Sequence, residues 1–256
     1  MGLGADRRIE EDNKQMRLVA DLHTHTVASG HAYCSVNEMA HAAADIGLEM
    51  IAITDHGPNM PGGPHKYYFG NLRVVPPVIA GVRVLKGIEA NIAGPSGELD
   101  LPDSMLAKLD IVFAGFHTHT GYDDSGVSKN TRALIGALEN PYVDGIVHPG
   151  NPVFPVDIKE VVAAAKDLGK LIEINNASLT VTRLDSLENC IKFAERAVEY
   201  STMVVIGSDA HHSSLVGSFD SAIKLARSVG LKSELVLNTD VGKITEFLLN
   251  RRKALK

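Results

Sequence analysis

The stretch Met50-Ile51-Ala52-Ile53-Thr54-Asp55-His56, residues 50–56, joins an apolar run to a carboxylate and an imidazole. Short runs of this kind, rich in β-branched residues and bounded by polar segments, predict buried β-strands. Similar runs recur along the chain, in residues 18–20, 82–88, 111–114, 145–147, 171–174 and 203–206. Because the runs do not alternate with polar residues, they favour parallel strands that are covered on both faces.

Helical patterns separate these runs. Ser35 with Glu38 predicts a capping box, and Asp157 with Glu160 repeats the pattern. Further helices are expected over residues 128–140, 187–200, 218–229 and 243–251. Seven strand–helix units without a linker between them predict a single α/β domain, which is either a closed barrel or a doubly wound open sheet.

The composition is ordinary for a soluble globular protein, with 45% hydrophobic and 22% charged residues. The formal net charge of -6 argues against a general nucleic-acid binder, which needs a basic face. It does not exclude a small anionic substrate, because bound metal ions reverse the local sign of the charge. Two cysteines without a CxxC pattern give no indication of a disulfide framework.

The first residues of the chain are polar. They lack the apolar core of a signal peptide, so we expect an N-terminal tail over residues 1–16 and one domain over residues 17–256. No run approaches the roughly 18 apolar residues of a membrane span. A cytoplasmic protein that contacts no membrane is therefore the expectation.

Metal-ligand residue types follow six of the predicted strands. In a parallel barrel the carboxyl ends of all strands open on the same face, so these residues should converge. A single histidine at a strand end is more often a hydrogen-bonded residue than a ligand, but six such ends together favour a metal site. Imidazole suits zinc, iron or manganese, and carboxylates can bridge ions. The ends are residues 21–25, 54–56, 87–89, 115–117, 147–149 and 207–211.

The amino-acid sequences of these segments resemble those of a known family. Residues 21–26 (DLHTHT), 53–57 (ITDHG), 87–91 (GIEAN) and 207–211 (GSDAH) are similar to the four motifs of the PHP (polymerase and histidinol phosphatase) superfamily. Residues 27–33, 54–58, 146–152 and 173–176 resemble its YcdX-type phosphatases. The resemblance runs from about residue 17 to the C-terminus. It implies a distorted (βα)7 TIM-like barrel with three divalent ions in its mouth, usually Zn²⁺, although Mn²⁺ or Fe²⁺ would accept the same ligands.

The resemblance also implies which residues bind each ion. One ion would take His23, His25, Glu89 and Asp209. Glu89 would bridge to a second ion, completed by His117 and His148. His31, His56 and His211 would hold the third ion.

Several polar residues remain outside this ligand set. His65, in a Gly- and Pro-rich loop, and Arg183, after the sixth strand, are candidates for substrate binding. Asp21 is expected to orient a ligand imidazole, as carboxylates behind metal sites do. Asp55 is expected to face away from the pocket as an orienting or structural acid. His119 is a candidate for a further metal contact, His41 is expected at the surface, and His212 is expected either behind the ligands or at the surface.

The reaction that this resemblance implies is hydrolysis of a small phosphate monoester. A hydroxide that bridges metal ions would be the nucleophile, with Glu89 and Asp209 as catalytic ligands. Two alternatives stay open: a phosphodiesterase or nuclease that acts on nucleic-acid ends, and a non-catalytic metal-binding module. The family precedent also admits a homo-oligomer.

Overall fold

Seven parallel strands form the wall of a nearly closed barrel in the computed structural model, which describes residues 16–254. A further short strand pairs with one of them in an antiparallel hairpin. The strands are β1 (Ala20–Thr24), β2 (Met50–Ile53), the hairpin strand β3 (Val78–Ile79), β4 (Val82–Asn91), β5 (Ile111–Gly115), β6 (Gly145–Ile146), β7 (Leu171–Asn175) and β8 (Val204–Gly207).

The order of strands around the sheet decides between the two architectures that the sequence left open. The strands follow one another as β1-β2-β4-β5-β6-β7-β8, without the reversal that marks a doubly wound sheet. The predicted α/β barrel is therefore confirmed. Apart from Met16, the tail expected over residues 1–16 lies outside the described residues.

Helices surround the strands and begin where the sequence signals placed them. Glu38 N–H donates to Ser35 Oγ while Ser35 N–H donates to the Glu38 carboxylate, so the capping box is present. Among the described residues, none of the helices is both long and apolar enough to span a membrane. The helices are α1 (Val36–Asp45), α2 (Tyr67–Asn71), α3 (Asp103–Leu106), α4 (Val127–Glu139), α5 (Ile158–Leu168), α6 (Leu187–Tyr200), α7 (Asp220–Ser228) and α8 (Val241–Ala254).

The hydrophobic core has two layers, one on each face of the strands. The larger layer packs between the sheet and the surrounding helices. The smaller layer fills the barrel, where Leu22, Met50 and Phe113 are fully buried, and Ile244 and Leu248 of α8 pack against it. Burial on both faces explains why the strand sequences are continuously apolar. The layers fix the strand ends that carry the polar site.

The seam between β1 and β8 is where the barrel is least regular. Toward the carboxyl ends of these strands it is closed by Asp209 N–H donating to His23 O (3.0 Å) and His25 N–H donating to Ala210 O (2.9 Å). Lower down, the side chain of the buried Asn238 takes the place of a strand. Its Nδ2 donates to Ala20 O and Ile206 O, each at 2.8 Å, and its Oδ1 accepts from Ile206 N–H at 3.1 Å.

Replacing Asn238 with leucine is expected to lower the free energy of unfolding by roughly 3 kcal/mol. The substitution keeps the number and branching of the side-chain heavy atoms but leaves buried backbone groups of β1 and β8 without partners, at about 1–3 kcal/mol each. Urea denaturation of the metal-free protein measures the change. The matched control is Asn250→Leu at an exposed position of α8. A stability loss no larger than that of the control would contradict the role assigned to Asn238.

Candidate metal centre

A β-bulge in β1 directs two histidines into the barrel mouth. Between Asp21 and Thr24 the register against β2 shifts, so that one extra residue of β1 is accommodated. Leu22 lies in the interior core and His23 follows it inward, where its ring lies 6.2 Å from that of Phe113. His25 points the same way, and its Nε2 lies 3.1 Å from that of His23.

Glu89 lies near the carboxyl end of β4, and its carboxylate lies at the centre of the histidines. Its Oε1 is 2.5 Å from His148 Nε2 and 2.9 Å from His117 Nε2. Its Oε2 is 2.8 Å from His56 Nδ1 and 3.3 Å from His25 Nε2. The Glu89 side chain is fully buried, so the negative charge of its carboxylate has to be compensated by groups within the protein.

Asp209 completes a second group of ligand atoms, beside β1. Its Oδ1 lies 3.1 Å from His25 Nε2 and 3.6 Å from His23 Nε2. Glu89 Oε2 lies 3.4 Å from the same His23 nitrogen. The four residues expected to share one ion are thus brought together.

Three further imidazoles stack at the outer side of the mouth. The His31 ring lies 5.0 Å from that of His56 and 4.9 Å from that of His211. The His25 ring lies 4.3 Å from the His56 ring and 4.3 Å from the His211 ring. His56 also groups with Glu89 and His117 through ligand atoms within 4.8 Å of one another. It therefore lies between two of the expected ion positions.

Several buried polar atoms of this cluster contact one another without the geometry of a hydrogen bond. They are His56 Nδ1, Glu89 Oε2, Asp209 Oδ1 and both nitrogens of His117. Unpaired buried polar atoms are rare and costly in native proteins. Here they face one another as lone-pair donors of the kind that divalent transition metals bind. The cluster therefore fits a group of metal ions.

The electrostatics favour the metal-binding forms of Glu89, Asp209 and His148, whereas the neighbouring carboxylates favour the protonated form of His23. Burial would raise the pKa of Glu89 and Asp209, but the facing basic groups outweigh it and hold each pKa well below its usual range. Burial lowers the pKa of His148 to about 3. For His23 burial acts in the same direction, but carboxylates, the Glu173 carboxylate foremost, raise its pKa well above its usual value.

Two of the ligand-type residues have strained backbones. His148 has a φ of 34° and Asp209 a φ of 58°, in the left-handed region that non-glycine residues rarely adopt. Such conformations cost of order 1–3 kcal/mol and persist where the surrounding structure demands them. Each residue lies two positions beyond the end of its barrel strand, and the strained backbone turns its side chain toward Glu89 or His25.

The carboxylate that orients a ligand imidazole is Glu173, and the expectation for Asp21 was wrong. Glu173 Oε1 accepts from His23 Nδ1 at 2.6 Å, and its Oε2 accepts from His148 N–H at 2.8 Å. Asp21 lies beyond the bulge and instead accepts from Ser208 Oγ and from Gly217 N–H. The sequence signal for Glu173 was its position in the middle of β7, a charged residue inside an apolar run.

Asp55 has the structural role that was expected of it. Its carboxylate accepts hydrogen bonds from Thr26 N–H (2.7 Å), Ser29 Oγ (2.7 Å) and Tyr68 Oη (2.5 Å). Ser29 Oγ in turn lies 3.1 Å from His25 Nδ1. Asp55 thus ties the loop after β1 to the loop after β2 and supports a ligand histidine through Ser29.

The two candidate substrate residues differ in position. Arg183 lines the cavity above the cluster, and its Nη1 donates to Asp209 Oδ2 at 2.9 Å. His65 is exposed, accepts from Tyr67 N–H, and lines surface hollows beside α2 rather than this cavity. Of the remaining histidines, His119, His41 and His212 are all exposed.

Comparison with known proteins places this chain among relatives of similar length. The model of the PHP domain matches residues 21–144. A protein of Caldanaerobacter subterraneus named probable phosphatase is 52% identical over 241 residues, which cover 94% of this chain and 95% of the relative. The chain belongs to the PHP-domain family. A second PHP relative, a probable phosphatase of Acetivibrio thermocellus, is 51% identical over 241 residues, covering 94% of this chain and 99% of that protein.

Solved structures share the fold of this PHP-domain protein. A histidinol phosphate phosphatase from Lactococcus lactis, crystallised with zinc, L-histidinol and phosphate, aligns with a TM-score of 0.57 and 14% identity. The alignment covers 85% of this chain and 94% of that one. A second structure, described as the putative histidinol phosphatase of Listeria monocytogenes, aligns with a TM-score of 0.52 and 16% identity over 77% of this chain and 97% of that one.

Substituting Glu173 with glutamine is expected to weaken divalent-ion binding about 10–100-fold. Carboxylates behind ligand histidines fix the ring orientation and raise its basicity, and their loss costs this much in comparable sites. Metal content after dialysis against graded chelator concentrations measures the effect. Glu195→Gln, on the exposed face of α6, is the matched control. If the Glu173 variant retained metal as well as this control, the orienting role would be wrong.

Proposed function

We propose that this PHP-domain protein is a metal-dependent phosphatase that hydrolyses phosphate monoesters at a site for three divalent ions, with zinc the first candidate. The observation that carries the proposal is the convergence of nine ligand-type side chains on one barrel mouth. One of them, the buried Glu89, has its carboxylate at the centre of the group. The names of the similar relatives, probable phosphatases that match nearly the whole chain, support the reaction class.

The distances suggest how the ligands are shared. Glu89 offers one oxygen to each of two groups, since Oε1 faces His148 and Oε2 faces His25. His56 contacts the ligands of two ion positions, because its Nδ1 faces Glu89 while its ring stacks on that of His31. We assign the first ion to His23, His25, Glu89 and Asp209, the second to Glu89, His117 and His148, and the third to His31, His56 and His211.

Bound divalent ions would supply a nucleophile by lowering the pKa of water and would neutralise charge on the phosphate. The chain's own contribution is to hold the ligands rigidly on strand ends and to keep Glu89 and Asp209 ionised. Arg183 adds a guanidinium beside the cluster, where it can donate to phosphate oxygens. The reaction needs no covalent intermediate on the protein.

The alternatives raised by the sequence gain no specific support. Among the described residues that line the cavity, Arg183 is the one lysine or arginine, whereas a polynucleotide substrate needs a charged track along its backbone. A purely structural metal module would not need an open cavity above its ligands. The cytoplasmic location and the homo-oligomer stay predictions.

Chelation and the Glu89→Gln substitution test the proposal together. Removing the ions should abolish phosphomonoester hydrolysis, and restoring Zn²⁺ or Mn²⁺ should recover it. Glu89→Gln should lower kcat by more than about 100-fold, because it removes the carboxylate shared by two ion positions, whereas loss of a residue behind the ligands costs about 10–100-fold. Phosphate release from a panel of monoesters, with metal content measured in parallel, provides the readout.

The outcomes separate the rival functions. Full turnover after complete metal removal would refute the proposal, as would full turnover by Glu89→Gln. Hydrolysis of labelled single-stranded DNA in preference to every monoester would favour the nuclease. Glu195→Gln serves as the control for substitution of a glutamate as such.

Substituting Arg183 with lysine is expected to reduce kcat/KM about 10–100-fold and to weaken inhibition by inorganic phosphate. A hydrogen bond to a charged group is worth about 1.5–3 kcal/mol, and lysine cannot reproduce the two-pronged donation of a guanidinium. Arg196→Lys, on the surface of α6, is the control. Unchanged inhibition by phosphate would show that Arg183 does not contact the phosphate.

A further inference from the structure

A cavity of about 370 Å³ lies above the metal centre. Its lining includes cluster residues, among them His56, His117, Asp209 and His211. Much of the rest of the lining comes from residues 176–182 in the loop after β7, from Met60 and from Leu215. A phosphate ester bound with its phosphate at the cluster would therefore place its alcohol against this second part of the lining.

The side that faces the alcohol is mainly apolar. Met60, Ala177, Val181 and Leu215 line it. Val181 is 74% exposed and Leu215 is 44% exposed, so both have apolar surface to bury against a ligand. Burial of apolar surface contributes about 25 cal/mol per Å². We refer to these four residues as the apolar wall.

Three polar side chains near the apolar wall are partly engaged within the protein. Thr180 Oγ1 donates to Asn176 O at 3.1 Å, and Thr182 Oγ1 accepts from Arg183 Nη1 at 3.0 Å. Asn176 Oδ1 accepts from Ala222 N–H at 3.0 Å. These bonds take up part of the hydrogen-bonding capacity that a substrate alcohol rich in hydroxyl groups would use.

Charged side chains in the cavity are confined to the cluster side. Arg183 and Asp209 are paired with each other at 2.9 Å, beside the ligand histidines. They are the one lysine or arginine and the one carboxylate among the described lining residues. A second phosphate, a carboxylate or an ammonium on the alcohol would lie against the apolar wall without a partner, at the cost of its desolvation.

We infer that the preferred substrates are phosphate monoesters of uncharged, apolar alcohols, selected by the apolar wall. The inference rests on the proposed function and names its substrate class. An uncharged hydrocarbon alcohol buries Val181 and Leu215, whereas a sugar or a bisphosphate strands polar groups there. Selection acts on the alcohol, because every monoester offers the same phosphate to the cluster.

Matched substrate pairs test the inference with the metal-loaded enzyme. Cyclohexylmethyl phosphate and glucose 6-phosphate are both primary alkyl esters on six-membered rings, and hexyl phosphate is matched with hexane-1,6-diyl bisphosphate. We expect kcat/KM to favour the apolar member of each pair by at least about 10-fold, since polar groups stranded in an apolar pocket cost of order 1–3 kcal/mol. Equal values, or preference for the polar members, would overturn the inference while leaving a phosphatase.

Substitutions in the apolar wall supply the second measurement. Val181→Thr combined with Leu215→Asn should lower the ratio of kcat/KM between cyclohexylmethyl phosphate and glucose 6-phosphate at least about threefold. The control, Val78→Thr on the exposed hairpin strand, should leave the ratio unchanged. An unchanged ratio in the double variant would refute the selection by the wall. Hydrolysis of none of the four esters would overturn the proposed function itself.

Discussion

The carboxylate of Glu89 is buried at the point where the barrel strands converge, and an ionised carboxylate without nearby positive charge is unstable in such a place. The protein surrounds it with imidazoles, five of which lie within 3.4 Å of its two oxygens. Most of the other features of the mouth follow from satisfying this group. The bulge in β1, the strained backbone of His148 and the hydrogen bonds of Glu173 all bring or hold nitrogens that face it.

Three of the ligand-type histidines are held in place by a further contact. Glu173 holds the His23 ring and the backbone of His148, and Ser29 links His25 to Asp55. A site prepared in this way need not reorganise when an ion or a phosphate arrives. In contrast, Val181 and Leu215 on the opposite side are exposed and hold no such network.

The barrel and its polar mouth could be predicted because both follow from simple repeats. Parallel strands read as apolar runs, and their carboxyl ends must meet, so His23, Glu89 and Asp209 were brought together as expected. The orienting carboxylate could not be predicted, because the bulge in β1 reverses which side chains face inward and removes Asp21 from the site. The position of His65 was also beyond sequence reasoning, since a loop has no periodicity that fixes its path.

The seam between β1 and β8 joins the first strand of the barrel to the last. His23 and His25 lie on one side of it and Asp209 on the other, so an ion held by all three would fasten the first strand to the last. An ion that binds the folded state and not the unfolded state raises the free energy of unfolding. Removal of the ions would then lower the stability of the folded chain as well as its turnover, because the ligands of that ion span the closure of the barrel.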